Sequence, residues 1–571
     1  MTSFRIESLR LERGEVGSWS RLHEQHRDWP VVYTLNDDAE LYVGESVDAT
    51  SRLRQHLDGV KKAHLGEARV IIDDSFNKSA CLDLESYLIG LFAGEGRYKV
   101  LNIQTSGGSG NYYQRENYRE RFREIFEKLR AEGLFATTIE QIENSDLYKL
   151  SPFKTLTDEQ GDAVIAIVQS LLEDLRQGPG GTLVIEGGPG TGKTVVAVFL
   201  TKLLADLGAW DGEQLENESV LAGLFTTENS ATLRGLRVGV VVPQQSLRSS
   251  IQAVFARTPG LGGVRVMSPF DVGKSDQTWD LLIVDEAHRL NQRSNQTSAQ
   301  KNREFKEINE KLFGFDDPSK NQWDWVREMS HQQLLLIDIL QRVRPADLSP
   351  VVLADLVSGA EARGRLHVLT SQLRMRAGED YVEYVRRVLG PEPPQRRLDF
   401  GEYDVRFFDS VAEMQAAIVE RDFETGLARL IAGYAWPWNS KKDKSRVDIT
   451  VEDEGLGLRW NSKVVDWVDS PNSLAEVGSI HTIQGYDLNY AGVIIGRDLR
   501  LDPATGSLVF DRKHYFDTKG KQNNPGQKLT DDDLLAYVVN IYRVLLTRGI
   551  RGTYLYVVDR PLREYLRNYF V

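Results

Sequence analysis

The sequence predicts an α/β protein: two parallel-sheet lobes preceded by a small α+β domain. Three observations carry this. From Leu183 onward, short apolar runs such as "TLVIEGG", "VGVVVPQ", "DLLIVDE", "LLLIDI" and "RLHVLT" alternate with helical segments, the pattern of a parallel sheet covered on both faces. The first of these runs leads straight into a glycine-rich loop and an apolar helix. Ahead of them, β-rich runs separated by a short turn give way to helices in a different alternation.

In chain order, "VVYTL" and "LYVGE" read as strands joined by "NDDAE", a spacer of hairpin length. "VDATSRLRQHLDGV" has helical spacing, with Leu53 and Leu57 one turn apart. The strand "EARVIID" precedes a helix, "ACLDLESYLIGLFAG", that is expected to end at Gly94 as its C-cap. A third helix, "YYQRENYRERFREIFEKLRAEG", sets Phe122, Ile125, Phe126 and Leu129 on one stripe and leaves its arginines on a solvated, ion-paired face. Residues 136–155 read as a linker, and "LTDEQGDAVIAIVQSLLEDL" as the helix that follows it. The expected domains are residues 1–135, then, after the linker, a first lobe over 156–350 and a second over 351–571. Two polar insertions interrupt the lobes: "WDGEQLENESVLAGLFTTENSATLRG", and a stretch from Asn291 to about Trp325. The second mixes Lys301, Arg303 and Lys306 with Trp323 and Trp325, a composition that suits single-stranded nucleic acid or a plain surface excursion.

Composition narrows the class. A chain of 571 residues exceeds one core, and its net charge of −13 argues against non-specific coating of nucleic acid, which needs Lys and Arg on phosphates. No apolar run approaches the ~18 residues that span a bilayer, so no membrane partner is expected. The opening "MTSFRIESLRLERGE" has no apolar central region, and Cys81 stands alone, which excludes an internal disulfide; the cytoplasm is the expected compartment.

The chemistry begins at "EGGPGTGKT". Gly187, Gly188, Pro189, Gly190, Thr191, Gly192, Lys193 and Thr194 lie between a strand and an apolar helix, the setting of a phosphate loop. Glycines let successive N–H groups face the phosphates, Lys193 would reach the β- and γ-phosphates of ATP, and the Thr194 hydroxyl would bind Mg²⁺. "LLIVDEAH" supplies the partner acids at a strand end: Asp285 to hold Mg²⁺ and Glu286 to orient the attacking water.

Several further stretches, in order, resemble a superfamily 1 helicase, which implies two RecA-like lobes. "LTDEQGDAV" is similar to the segment whose glutamine, here Gln160, reads adenine, and "VVVPQQSL" to the first substrate-binding segment. "LLLIDILQRVRP" resembles the motif whose Asp338 and Gln341 would couple nucleotide to the bound strand, although Ile337 stands where a glycine is usual. "LTSQLRMR" places Arg374 as a γ-phosphate contact, and "HTIQGYDLNYAGVIIG" offers His481, Thr482, Gln484, Gly485 and Asp487. "YRVLLTRG" sets Arg548 in the arginine-finger place and, unlike "DEAH", separates this class from superfamily 2. "AGYAWPWNSKK", the later "LRWN" and "NIYRVLLTRGIRGTY" resemble the Schlafen group-3-like DNA/RNA helicases over about residues 150–571. Trp436 and Trp438 in that signature read as core in preference to base-stacking residues.

"VVYTL…LYVGES" followed by "RLRQH" resembles the GIY-YIG endonuclease domain across residues 31 to about 125. Val31-Val32-Tyr33 and Tyr42-Val43-Gly44 stand in its two triplets, Arg52 lies eight residues after Gly44, and His56 follows one helical turn later. The resemblance implies that Tyr33 assists deprotonation of water, Glu85 binds one Mg²⁺ or Mn²⁺, Arg52 stabilises the phosphate, and Tyr42 with His56 positions it. Asn111 or Asn102 would complete the site. The combined expectation is an ATP-driven helicase or translocase fused to an endonuclease, acting on DNA in preference to RNA and suited to bacterial defence against foreign DNA. The alternatives are an ATP-gated nucleic-acid sensor with an inactive nuclease fold, and a structure-specific repair nuclease.

Overall fold

The computed structural model describes residues 4–571 except 60, 104–111, 179, 213–219, 294, 295, 297, 372–377, 452–454, 464–466, 484, 485 and 523–527, and only the backbone of 378–380. The chain divides into two compact units. One contains Met1–Gln177, Thr194–Leu236 and Ser250–Val264, the other Gly178–Lys193, Arg237–Ser249 and Arg265–Val571.

The first unit holds a five-stranded sheet made of β1 (Arg5–Arg10), β2 (Val31–Asn36), β3 (Glu40–Ser46), β4 (Glu67–Ile72) and β5 (Lys99–Val100), in the order β1-β4-β2-β3-β5. β2 and β3 form the expected hairpin, in a register that sets Tyr33 opposite Gly44. Side chains alternate between two cores. Val31, Tyr33 and Leu35 pack with Tyr42, Ala49 and Leu53 from the helix Ala49–Asp58. Val32, Leu41 and Val43 face the helices Lys78–Glu95 and Arg115–Ala131 through Leu84, Leu88, Phe122 and Phe126. β1, which the sequence pattern did not reveal, pairs antiparallel with β4 and covers its edge.

Two local expectations need correction. The helix Lys78–Glu95 does not stop at Gly94; it is capped by Gly96 in the left-handed region at φ 70°. Gly94 lies inside the helix because a Cβ there would come within 2.7 Å of Tyr148 and 2.9 Å of Ile142. Those neighbours belong to the stretch expected as a linker, which carries two short helices, Ile139–Asn144 and Asp146–Lys149. The Ser145 hydroxyl donates to the Gly94 carbonyl at 2.9 Å, and Ile139 and Ile142 join the core beneath. This segment is part of the N-terminal packing.

The second unit holds two parallel sheets of RecA-like helicase type. The first comprises β6 (Thr182–Gly187), β7 (Val238–Val241), β8 (Arg265–Met267), β9 (Trp279–Val284), β10 (Ser330–Ile337) and β11 (Leu366–Leu369), in the order β11-β6-β10-β9-β7-β8. Because β11 pairs with β6, this sheet extends past residue 350, where the first lobe was expected to end. The second sheet takes β12 (Asp404–Phe407), β13 (Ala428–Ala432), β14 (Ile449–Val451), β15 (Leu456–Trp460), β16 (Glu476–Ser479) and β17 (Leu488–Ile495). A hairpin of β18 (Leu499–Leu501) and β19 (Leu508–Phe510) follows, and β20 (Gly549–Val557) returns to give the order β12-β20-β17-β13-β16-β15-β14. All its pairings are parallel except β14 with β15.

The aromatic residues of the second insertion are structural. Trp325 is fully buried against Phe270 and Phe305, with its indole N–H on Asn309 at 2.8 Å, and Trp323 is buried as well. Neither ring is available for stacking on a base. Among the described residues no helix is long and apolar enough to cross a membrane.

Candidate functional site

The phosphate loop leaves the C-terminal end of β6, and the helix Lys193–Ala209 starts directly after it. Gly190 and Gly192 take φ values of 85° and 81°, a region that side chains disfavour, so the loop needs glycine there. Gly187 has no room for a Cβ, which would meet the Thr191 hydroxyl at 2.5 Å and the Leu369 carbonyl oxygen at 3.0 Å. The Lys193 ammonium is folded onto this loop, donating to the carbonyl oxygens of Gly187 at 2.7 Å and Gly188 at 2.8 Å. A buried lysine held chiefly by main-chain carbonyls at the mouth of a glycine loop fits an anionic phosphate ligand.

Asp338, immediately after β10, organises the site. Its carboxylate lies 3.8 Å from the Lys193 ammonium and accepts from the Gln341 side chain at 2.8 Å and the Leu340 N–H at 3.0 Å. Its own N–H meets Nδ1 of His288 at 3.2 Å, and Nε2 of that ring lies 3.2 Å from the Glu286 carboxylate. Glu286 also accepts from Arg289 at 2.9 Å. Burial alone would raise the Glu286 carboxyl, but His288, Arg289 and Lys193 hold it well below the usual carboxylate range. A carboxylate held so firmly ionised is a weak proton acceptor. Asp285 is fully buried at the end of β9, with one oxygen accepting the Glu286 N–H at 2.9 Å. Ile337, in place of the usual glycine, is buried in the core of this sheet.

In the second sheet Arg548 is buried and directs Nη1 at the Tyr486 carbonyl oxygen, 3.4 Å away. His481 pairs with Asp517 at 2.7 Å, and Ser479 and Thr482 share a hydrogen bond of 2.9 Å. Trp436 is core, its N–H on the Thr450 carbonyl at 3.3 Å, and half-buried Trp438 packs with Tyr434 and Trp460. Gln160 is buried at the start of the helix Asp158–Gln177 and closes a reciprocal cap with Thr157. Arg374, Gln484, Gly485 and Asn111 lie outside the described residues.

The N-terminal unit builds a second polar site on the sheet face that carries Tyr33 and Tyr42. The Tyr33 hydroxyl and Nε2 of His56 are 2.8 Å apart, and the Tyr42 ring lies 5.3 Å from the imidazole and 6.3 Å from the Tyr33 ring. Gly44 is required beneath them, since a Cβ would press on the Tyr33 ring and come within 2.9 Å of Tyr42. Lys62, which the motifs did not flag, lies 3.4 Å over the Tyr42 ring. Burial lowers the His56 pKa to about 3, helped by the charges of Lys62 and Arg52, so the ring is neutral at physiological pH. Arg52 is half-buried on the same helix, with Nη1 on Gln55 at 2.7 Å.

Glu85 is buried on the helix Lys78–Glu95. Burial raises the Cys81 thiol well above its ordinary value, and Glu45, Glu85 and Asp73 add to this, so Cys81 is no nucleophile. Among the described residues no three His, Cys, Asp or Glu side chains are arranged to hold a metal ion. Asn102 does not face a substrate: its side chain clamps the Val43 backbone, accepting the N–H at 3.1 Å and donating to the carbonyl at 2.8 Å. It extends the β3 edge where β5 ends.

The Saccharomyces cerevisiae protein YPL245W, itself described as uncharacterized, is 26% identical over 410 residues, which span 67% of this chain and 83% of its own length. The arterivirus nonstructural protein 10 helicase, solved with DNA, is 14% identical with a TM-score of 0.26, over 72% of this chain and 68% of that one. The Escherichia coli DEAH/RHA helicase HrpB is 13% identical with a TM-score of 0.28, over 71% and 44% respectively. Residues 181–559, most of the chain and both parallel sheets, match a family model for the Schlafen group 3 DNA/RNA helicase domain. This protein belongs to the Schlafen group 3 DNA/RNA helicase domain family.

Proposed function

We propose that the chain is an ATP-driven superfamily 1 translocase or helicase joined to a metal-dependent GIY-YIG endonuclease, and that it cuts or processes DNA in defence against foreign sequences. One observation carries the first half of this reading. Asp338 is shared between the phosphate-loop lysine and Gln341, while its backbone is held by the histidine that faces Glu286. A change at Lys193 is thereby felt at the segment after β10 and at the water-orienting acid together.

Magnesium-ATP, when bound, supplies the transferable phosphoryl group and the cation that spreads its charge. Lys193, now on two loop carbonyls, would turn to the phosphate oxygens, Thr194 and Asp285 would hold the cation, and Glu286 would orient the attacking water. By the family resemblance, Gln160 would read the base, Arg374 would contact the γ-phosphate, and Arg548 would serve as the arginine finger. In the N-terminal pocket Arg52 would stabilise the phosphodiester, Tyr33 would assist deprotonation of water, and neutral His56, on the Tyr33 hydroxyl, would with Tyr42 help to position the phosphate. Glu85 would hold the divalent ion there.

The test measures ATP hydrolysis by the full chain with and without single-stranded poly(dT) or poly(U), and, in parallel, cutting of labelled duplex, forked and single-stranded DNA and matched RNA with Mg²⁺ or Mn²⁺. Strand-stimulated hydrolysis together with metal-dependent cutting of DNA is the expected result. Hydrolysis indifferent to every polymer would overturn the helicase half, and no cutting under any metal the nuclease half.

A further inference from the structure

The long polar connection between β17 and β20 carries a residue that no motif accounts for. Asp517 lies on the loop after the β18–β19 hairpin, and its carboxylate meets Nε2 of His481 at 2.7 Å. The acid is itself fixed: its other oxygen accepts the Lys519 N–H at 3.0 Å and the Gly520 N–H at 2.9 Å. Gly520 is glycine of necessity, since a side chain there would strike Tyr515 and Asp517. The loop is tied down on the far side, where the Phe516 N–H donates to the Tyr434 carbonyl at 2.7 Å. The Tyr434 ring in turn lies 5.3 Å from the imidazole and stacks on Trp460 at 5.4 Å.

His481 lies in the short helix Ile480–Ile483 that follows β16, in the segment that resembles a helicase motif. With Nε2 committed to Asp517, its Nδ1 is buried and has no hydrogen-bond partner among the described residues. Arg344 stands close enough for its charge to act on both His481 and Asp517, and its Nε is likewise buried and unpartnered among those residues. Arg344 is three residues beyond Gln341. Its neighbour Arg342 donates to the Tyr537 hydroxyl at 3.3 Å and accepts from the Asn540 side chain at 3.2 Å, both on the helix that leads to Arg548.

We infer that Asp517 is a positioning residue for nucleic-acid handling: fixed by its own loop, it sets the orientation and tautomer of His481. This rests on the helicase reading above and adds to it a residue outside every motif. The substitution Asp517→Asn separates positioning from loop stapling. An asparagine oxygen still accepts the Lys519 and Gly520 N–H groups, but its amide presents a donor to His481 where a carboxylate accepted.

The experiment compares basal and poly(dT)- or poly(U)-stimulated ATP hydrolysis in the full-length wild type, Asp517→Asn, Asp517→Glu, His481→Asn and the Asp517→Asn/His481→Asn double variant. The expected result is a loss of stimulation of about 5-fold or more in Asp517→Asn with the basal rate kept. Partial recovery in Asp517→Glu and a double variant no worse than His481→Asn alone should accompany it. Unchanged stimulation, additive losses, or basal and stimulated rates falling in one proportion would each overturn the inference while leaving the helicase reading intact. A wild type whose hydrolysis ignores both polymers would overturn the two together.

Discussion

The tyrosine–histidine pocket of the N-terminal unit and the phosphate loop of the second unit are both suited to phosphate, and they settle the protonation of their key group in opposite ways. At His56 burial and the charges of Lys62 and Arg52 act in the same direction, and the ring is kept neutral. At Glu286 burial opposes the cations around it and loses, so the acid stays ionised. The difference teaches that burial decides protonation only where no opposite charge answers it: nothing offsets it at His56, whereas His288, Arg289 and Lys193 do so at Glu286.

The sharpest way to break this comparison is Lys193→Ala. It removes the charge that would face the phosphates, and ATP hydrolysis in a phosphate-release assay should fall by about 10²–10³-fold. ATP-independent cutting by the N-terminal unit should stay unchanged; a parallel loss of cutting would mean that the two pockets are not separate.

A smaller effect is read through acid. The His56 pKa is depressed from 6.5 to about 3, so above pH 6.5 neither folded nor unfolded chain holds that proton. Between pH 6.5 and 3 the unfolded chain takes it up and the folded chain does not, so stability falls as the pH falls. The integrated effect is on the order of a few kcal/mol. Hydrogen exchange over residues 31–58 should accelerate as the pH drops through this window, after correction for intrinsic rates, and His56→Asn should flatten the response. An unaltered slope in the variant would move the acid sensitivity to another group.

The smallest expected effect is Gly94→Ala. The added methyl would press on Tyr148 and Ile142, an overpacking that costs about 1–3 kcal/mol. It should lower the urea midpoint of the N-terminal unit without touching ATP hydrolysis.

Much of this architecture was legible because it is locally encoded. The phosphate loop, the acids at the end of β9 and the alternation of apolar strands with helices each lie within one short stretch. Tyr33, Tyr42, Arg52 and His56 were singled out by a resemblance, and the hairpin and one turn of helix bring Tyr33, Tyr42 and His56 together. What escaped depends on contacts made across the chain. The sequence pointed to Gly94 as the cap, but the left-handed residue is Gly96, and Gly94 instead gives Tyr148 room to pack against the helix. The helices at residues 139–149 are too short to announce themselves by periodicity, although Thr138 and Gln141 form a capping box that the sequence "TIEQ" does encode. The tryptophans of the second insertion look like nucleic-acid contacts until Phe270 and Phe305 close over Trp325. Asn102 looks like a site residue until Val43 takes both ends of its amide. Asp517 is one acid in a polar loop, and only the fold brings it to His481.

The central claim, two hydrolytic centres on one chain, is tested most directly by Glu85→Ala in the full-length protein, assayed with labelled DNA and Mg²⁺ for cutting and with poly(dT) for stimulated ATP hydrolysis. The account predicts that cutting falls by about 10²-fold or more while stimulated hydrolysis matches the wild type. Cutting at the wild-type rate by the Glu85→Ala protein would contradict it.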